Sequence, residues 1–170
     1  MVLWPSGGEQ MENSLCVVVD TREQLPYRFD GSGVDLERGK LDQGDYSVRG
    51  LSDRCAIERK TLEDFIGCCG RERARFKREL GRLAGLDCAA VVIEAGYYEV
   101  LCRRYRSRIS PDSVLGSVAS WSAFYRIPFF FAGDRSAGED LTLRLLKQYR
   151  RHLTAGSGPS FHCLAADSLN

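Results

Sequence analysis

The chain has 170 residues, of which 44% are hydrophobic and 28% charged, the composition of a single soluble globular domain rather than a disordered segment. No apolar run approaches the ~20 residues needed to span a bilayer, and the polar stretch 6–13 offers no signal-peptide core. A formal net charge of +1 excludes a generally basic nucleic-acid coat, but it leaves a nucleic-acid enzyme open because net charge does not locate the charges.

Those charges are unevenly placed. Residues 1–50 carry nine acidic and five basic side chains, whereas residues 51–170 carry fourteen acidic and nineteen basic ones. Twenty of the 24 basic residues are arginine, the better fork for phosphate oxygens, although a codon bias toward arginine explains the same count equally well. The seven cysteines are odd in number and show no Cys-x-x-Cys spacing. With only His152 and His162 beside them, a zinc site is not expected, and reduced cysteines acting as small hydrophobes fit a cytoplasmic protein.

In chain order, residues 1–13 read as a disordered lead-in. Cys16 to Val19 is a short apolar run ending at Asp20, the pattern of a strand buried on both faces. After Pro26 and the Gly31-Ser32-Gly33 turn, Val34 to Leu41 and Tyr46 to Val48 read as strands joined at Gln43-Gly44-Asp45. Cys55-Ala56-Ile57 leads a further strand into Glu58-Arg59-Lys60, so the opening resembles a meander. Thr61 and Asp64 predict a capped helix start. Gly67 and Gly70 interrupt that helix, and a second runs from about Arg71 to Ala84. Cys88 to Glu94 is another buried strand. Ser110 and Pro111 open a helix to about Tyr125, and Pro128 to Phe131 is a short aromatic strand. Ser136 and Glu139 predict a capping box for a last helix ending near Leu153, and residues 154–170 read as a loose tail. Strands followed by alternating helices and strands imply an α/β domain over 14–153, a central mixed β-sheet flanked by α-helices.

Glu58 and Lys60 lie two apart on a strand and share one face; Ile57 and Arg59 face the other way. Asp20 closes the first strand and Asp45 sits in a turn. Ligands gather beyond strand ends in such sheets, so Asp20, Asp45 and Glu58 form a candidate oxygen-only cluster suited to Mg²⁺ or Mn²⁺. Phosphodiester hydrolysis needs those parts: a cation against the phosphate charge and a lysine to position water. A surface salt-bridge ladder accounts for the spacing as well.

Gly44-Asp45, Glu58-Arg59-Lys60 and Asp64 together resemble the signature of the XPF family of structure-specific endonucleases. Val19-Asp20-Thr21-Arg22-Glu23 resembles that family's first-strand motif, and the likeness covers roughly residues 15–150. The resemblance implies a restriction-endonuclease-like fold and Mg²⁺-dependent cutting of branched, flap or fork DNA in repair or recombination, with Mn²⁺ as a substitute. It implies Asp45 and Glu58 as metal ligands, with Asp20 as a further acid, direct or through water. Lys60 would position water, and Arg59 would orient the acids or touch the scissile phosphate. Glu23 and Asp64 are supporting candidates; Asp64 also suits helix capping, and Glu23 also suits pairing with Arg22 or Arg59. Family members pair through this domain, so a homodimer or heterodimer is expected. Eukaryotic and archaeal members carry helix-hairpin-helix modules, and no such pattern follows Leu153. The expectation is therefore a stand-alone bacterial or phage member, cytoplasmic and nucleoid-associated. The alternatives are a non-catalytic DNA-binding or scaffold subunit of a heterodimeric nuclease, and a sequence-specific restriction enzyme on the same fold.

Arg71, Arg75, Arg78 and Arg82 fall on one helical stripe opposite Phe76, Leu80 and Leu83, and they are the candidate DNA-binding residues. A solvated face flanked by Glu72 and Glu79 is the plainer reading. Arg103, Arg104, Arg106 and Arg108, with Tyr105 between them, form a second basic patch in a predicted loop. Trp121, Phe124, Tyr125 and Phe129 to Phe131 read as core, part of which would serve a dimer interface.

Overall fold

A computed structural model describes residues 14–155. The predicted lead-in and nearly all of the predicted tail lie outside the described residues. Among the described residues no helix is long and apolar enough to cross a membrane.

Six strands form one sheet: β1 (Cys16–Asp20), β2 (Asp35–Gly39), β3 (Tyr46–Val48), β4 (Cys55–Thr61), β5 (Cys88–Glu94) and β6 (Phe129–Phe131), in the order β2-β1-β3-β4-β5-β6. β1 pairs parallel with β2 and antiparallel with β3, β3 is antiparallel to β4, and β4, β5 and β6 run parallel. The sheet is mixed, as the sequence implies. The opening is not a meander, because β2 and β3 lie on opposite sides of β1. The reason is burial. Asp-Leu-Glu-Arg-Gly in β2 is mostly exposed and suits an edge, whereas Tyr-Ser-Val in β3 is fully buried and takes an interior place.

Helices cover both faces. On one side, α1 (Leu62–Cys69), α2 (Arg73–Leu83) and α4 (Pro111–Tyr125) bury Phe65, Phe76, Leu80, Val114 and Trp121 against Ala56, Val91 and Ile93. Trp121 meets Phe76 edge-on, with ring centroids 5.3 Å apart. Burying each such side chain contributes about 1.5–3 kcal/mol before entropy. On the other side, α5 (Arg135–Thr154) lays Leu143, Leu146 and Tyr149 over Val17, Val19, Tyr46, Ile57 and Val92. β4 therefore alternates. Ala56 belongs to the first core and Ile57 to the second, which puts Glu58 and Lys60 toward α1 and α2 and Arg59 toward α5.

Thr61 caps α1 as expected, its hydroxyl accepting from the Asp64 N–H at 3.2 Å. Several local expectations change. The chain turns at 70–72, where the Gly67 carbonyl accepts from the N–H groups of Gly70 and Glu72, so α2 begins at Arg73 and Arg71 lies ahead of it. Asp134, not Ser136, caps α5 by accepting from the Ala137 N–H at 2.8 Å. Glu139 instead turns to the N–H groups of Arg28 and Phe29. A short helix that the sequence does not signal, α3 (Tyr97–Leu101), follows β5; five residues are too few to show a period. Trp121 is buried as core, but Phe124 is exposed.

Candidate active site

The site begins in the turn before β3. Gly44 has φ of +74°, and a Cβ there would sit 2.8 Å from that of Ala56, so only glycine lets this turn lie against β4. The turn is stitched to both neighbours: the Asp45 carbonyl accepts from the Asp20 N–H, and the Asp45 N–H donates to Ile57 O, each at 2.9 Å. Backbone bonds thus bring Asp20, Asp45 and the Glu58 strand together. They share the α1–α2 side of the sheet and open into a cleft also lined by Glu23, Arg59, Lys60, Asp64, Cys68, Glu72, Arg75, Glu79 and Arg82.

Asp45 is held by the Arg59 N–H, which donates to its Oδ2 at 2.7 Å. Burial and the neighbouring Glu58 charge push its carboxyl pKa up to about 8, outweighing Lys60 and the Arg59 hydrogen bond. Lys60 pairs with Glu58, and its ammonium lies 5.5 Å from the centre of the Phe76 ring. Burial disfavours that ammonium, yet the charges of Glu58 and Asp45 hold its pKa above the ordinary lysine value. The cleft floor is therefore a pair of crowded carboxylates with one fixed cation beside them.

Asp20 is buried and fully engaged. Arg22 donates to Oδ1 from its N–H (2.8 Å) and its Nε (2.7 Å), and to Oδ2 from Nη2 (3.1 Å), while the Leu41 N–H reaches Oδ2 at 2.7 Å. Burial opposes the charge, but these bonds hold the carboxyl below its usual range. Asp20 thus lies next to Asp45 through the backbone, with its own oxygens already committed.

Arg59 points away from the cleft floor. Its Nε and Nη2 meet the two oxygens of Glu94 at 2.7 and 2.8 Å, its Nη1 lies 3.4 Å from Glu23, and its guanidinium sits 5.5 Å from the centre of the Tyr27 ring. Arg59 and Glu94 are 9% and 7% exposed, so the ion pair is a buried strut rather than a surface contact. Glu23 also accepts from the Leu25 N–H. Asp64 accepts from the Thr61 hydroxyl at 2.6 Å at the cleft rim, as a cap residue does.

Other residues of the site take roles that the sequence does not assign them. Arg22, which the sequence offers as a partner for Glu23, pairs with Asp20 instead. Glu94 closes an apolar strand just as Asp20 does, and that shared position was the available signal. Glu72 and Glu79 line the cleft and bracket Arg75 in ion pairs. Among the described residues no three His, Cys, Asp or Glu side chains converge as a metal-ligating group.

The ERCC4 domain matches residues 19–145, three quarters of the chain. The chain belongs to the ERCC4 domain family. The fold resembles XPF from Aeropyrum pernix at a TM-score of 0.63 and 25% identity, over 79% of this chain and 61% of that one. XPF from Aeropyrum pernix in complex with DNA aligns at a TM-score of 0.64 and 25% identity, over 81% of this chain and 66% of that one. A putative ATP-dependent RNA helicase of Methanocaldococcus jannaschii is 25% identical over 132 residues, which is 78% of this chain and 15% of the helicase. This ERCC4 domain thus spans less than two thirds of the length of each of these relatives.

The arginine stripe of the domain divides in two. Arg75 and Arg82 line the cleft, Arg78 is exposed on α2 outside the lining, and Arg71 lies ahead of the helix, 87% exposed beside Glu72.

Proposed function

We propose that the protein is a metal-dependent DNA endonuclease that hydrolyses phosphodiester bonds at branched, flap or fork DNA, in repair or recombination. The observation that supports it most is the pairing of Asp45 with Glu58 beside Lys60 on a buried cleft floor, where the Asp45 pKa is pushed to about 8. Two carboxylates crowded in this way favour a cation between them. Mg²⁺ takes one or two carboxylates and completes its shell with water and substrate phosphate, so the donor set fits Mg²⁺, with Mn²⁺ as a substitute. Asp45 and Glu58 would hold it. Asp20, already bonded to Arg22 and Leu41, suits a supporting role beneath Asp45.

When bound, the ion would neutralise phosphate charge and favour ionisation of a water. Lys60, fixed by Glu58, would donate to a water or phosphate oxygen in the cleft. Arg59 would act from below, its N–H orienting Asp45 while Glu94 holds its side chain. DNA is the proposed partner. The exposed Phe124, shortly before the β6 sheet edge, suits pairing with a second copy or a related chain.

The test is cleavage of flap, fork, junction and linear DNA with Mg²⁺ supplied or withheld. Cutting of the branched substrates only with the metal is expected. Asp45→Ala or Lys60→Ala should abolish it in protein that still unfolds cooperatively, and full activity in either variant would overturn the assignment.

A further inference from the structure

The end of the sheet that carries the active site also carries a surface outside the cleft lining. β4 and β5 run parallel, with Thr61 opposite Glu94. α3 and the following loop therefore leave β5 beside the start of α1. The Arg106 N–H lies 3.4 Å from an oxygen of Glu63, and the adjacent Asp64 lines the cleft. This segment is the immediate neighbour of the cleft rim.

Its chemistry is distinctive. Tyr97, Tyr98 and Leu101 are 54%, 64% and 48% exposed on α3. Arg103, Arg104, Arg106 and Arg108 are all exposed, and none of them forms an ion pair among the described residues. The two acidic residues that touch the segment, Glu99 and Glu63, accept from the backbone N–H groups of Gly96 and Arg106 rather than from an arginine. The loop is also firmly seated. Tyr105, which the sequence places among the arginines, is buried and donates its hydroxyl to Ile109 O at 2.9 Å. Arg103 takes a left-handed turn (φ 54°), where its N–H donates to Val100 O while the Arg104 N–H donates to Glu99 O. At the far end, Gly70 leaves space that Ile109 occupies; a Cβ there would lie 2.6 Å from its Cδ1.

We propose that α3 and the loop 102–109 bind a single-stranded segment of DNA next to the cleft, with Tyr98 and Tyr97 stacking on bases and the arginines meeting phosphates. The inference rests on the nuclease reading and specifies how the substrate's unpaired strand is held. Charge alone would suit a duplex equally well. The exposed tyrosine rings favour the single strand, because only unpaired bases present free faces to stack upon. The fixed loop lowers the ordering cost of binding.

The test measures binding of fluorescent oligothymidylate and of a blunt duplex by the whole chain, with EDTA present so that metal and cutting play no part. Tyr98→Ala should weaken oligothymidylate binding on the order of tenfold and leave duplex affinity within about twofold. Tyr97→Ala is a second variant, accompanied by a melting curve because Tyr97 also packs on Phe131. The double variant Arg103→Ala/Arg104→Ala should make the salt slope on oligothymidylate shallower by about 1.4, from ~0.7 per phosphate neutralised. Unchanged single-strand affinity in folded Tyr98→Ala would overturn the proposal. So would a loss of self-association in that variant with DNA binding intact, which would mark the surface as an interface between copies of the chain. A wild-type chain that binds oligothymidylate through Tyr98 yet cuts no branched DNA would defeat the nuclease reading and leave the single-strand surface standing.

Discussion

Asp45 and Asp20 sit within one backbone hydrogen bond of each other, yet their environments drive them in opposite directions. Burial and Glu58 raise Asp45 to about 8, whereas Arg22 and Leu41 hold Asp20 below its usual range. The linkage sign follows. In the metal-free protein the folded state keeps a proton on Asp45 that the unfolded chain releases near 3.8, so this contribution to stability is complete below that value and is lost as pH rises toward 8. Asp20 acts in the reverse sense and only at acid pH, so it does not mask the effect. Urea unfolding in EDTA between about pH 5 and 8 should therefore show stability falling with pH, and Asp45→Asn should flatten that slope; parallel slopes in the two proteins would refute it. On the proposed metal-dependent reading, Mg²⁺ affinity should rise over the same window, because a carboxylate ligand must be ionised. Only part of this was legible in the sequence. The positions of Asp45, Glu58 and Lys60 followed from a glycine-aspartate turn and a strand alternation. The commitment of Asp20 did not, because the Leu41 N–H depends on where the chain beyond β2 returns and Arg22 alone is equally free to pair with Glu23.

At the scale of elements, β4 links the two halves of the domain. Its one face presents Glu58 and Lys60 to the cleft, and its other face anchors Arg59 to Glu94 of β5. The period of two predicted this division, but the partner of Arg59 lies 35 residues away, the one charged residue at the end of an otherwise apolar strand. Likewise, strand types were readable while the order β2-β1-β3 was not, because alternation reports burial and not neighbours. The strut has a measurable consequence. Glu94→Ala leaves a buried guanidinium with the more distant Glu23 as its remaining carboxylate among the described residues and with the like charge of Arg135 nearby, and it should cost about 3 kcal/mol in unfolding free energy. Replacing both partners together, Arg59→Met/Glu94→Leu, removes the unpaired charge and should recover much of that loss. If the strut also positions the strand whose N–H holds Asp45, cleavage should stay impaired in the double variant despite its regained stability. Full activity there would reduce the pair to a stability element alone.

Across the whole molecule, the net charge of +1 is a cancellation: the carboxylates crowded in the cleft are offset by arginines, several of which, on α2 and after α3, form no ion pair among the described residues. The arginines of α2 are not equivalent. Arg75 lies between Glu72 and Glu79, so much of its field is already offset, whereas Arg78 and Arg82 form no ion pair among the described residues. DNA affinity should follow this division rather than the bare arginine count. Arg78→Glu/Arg82→Glu should weaken duplex binding and make its salt slope shallower by about 2, near 0.9 for each phosphate that is no longer neutralised. Arg75→Ala should change both only slightly. Reversing two arginines takes the formal charge from +1 to −3, so an equal reversal on the opposite face, Arg144→Glu/Arg151→Glu on α5, separates local binding from overall repulsion. Salt titrations of all three variants with metal withheld decide the matter. Equal losses in the α2 and α5 variants would mean that net charge governs binding, and an Arg75→Ala loss as large as that of the double reversal would mean that its ion pairs open to meet the phosphate.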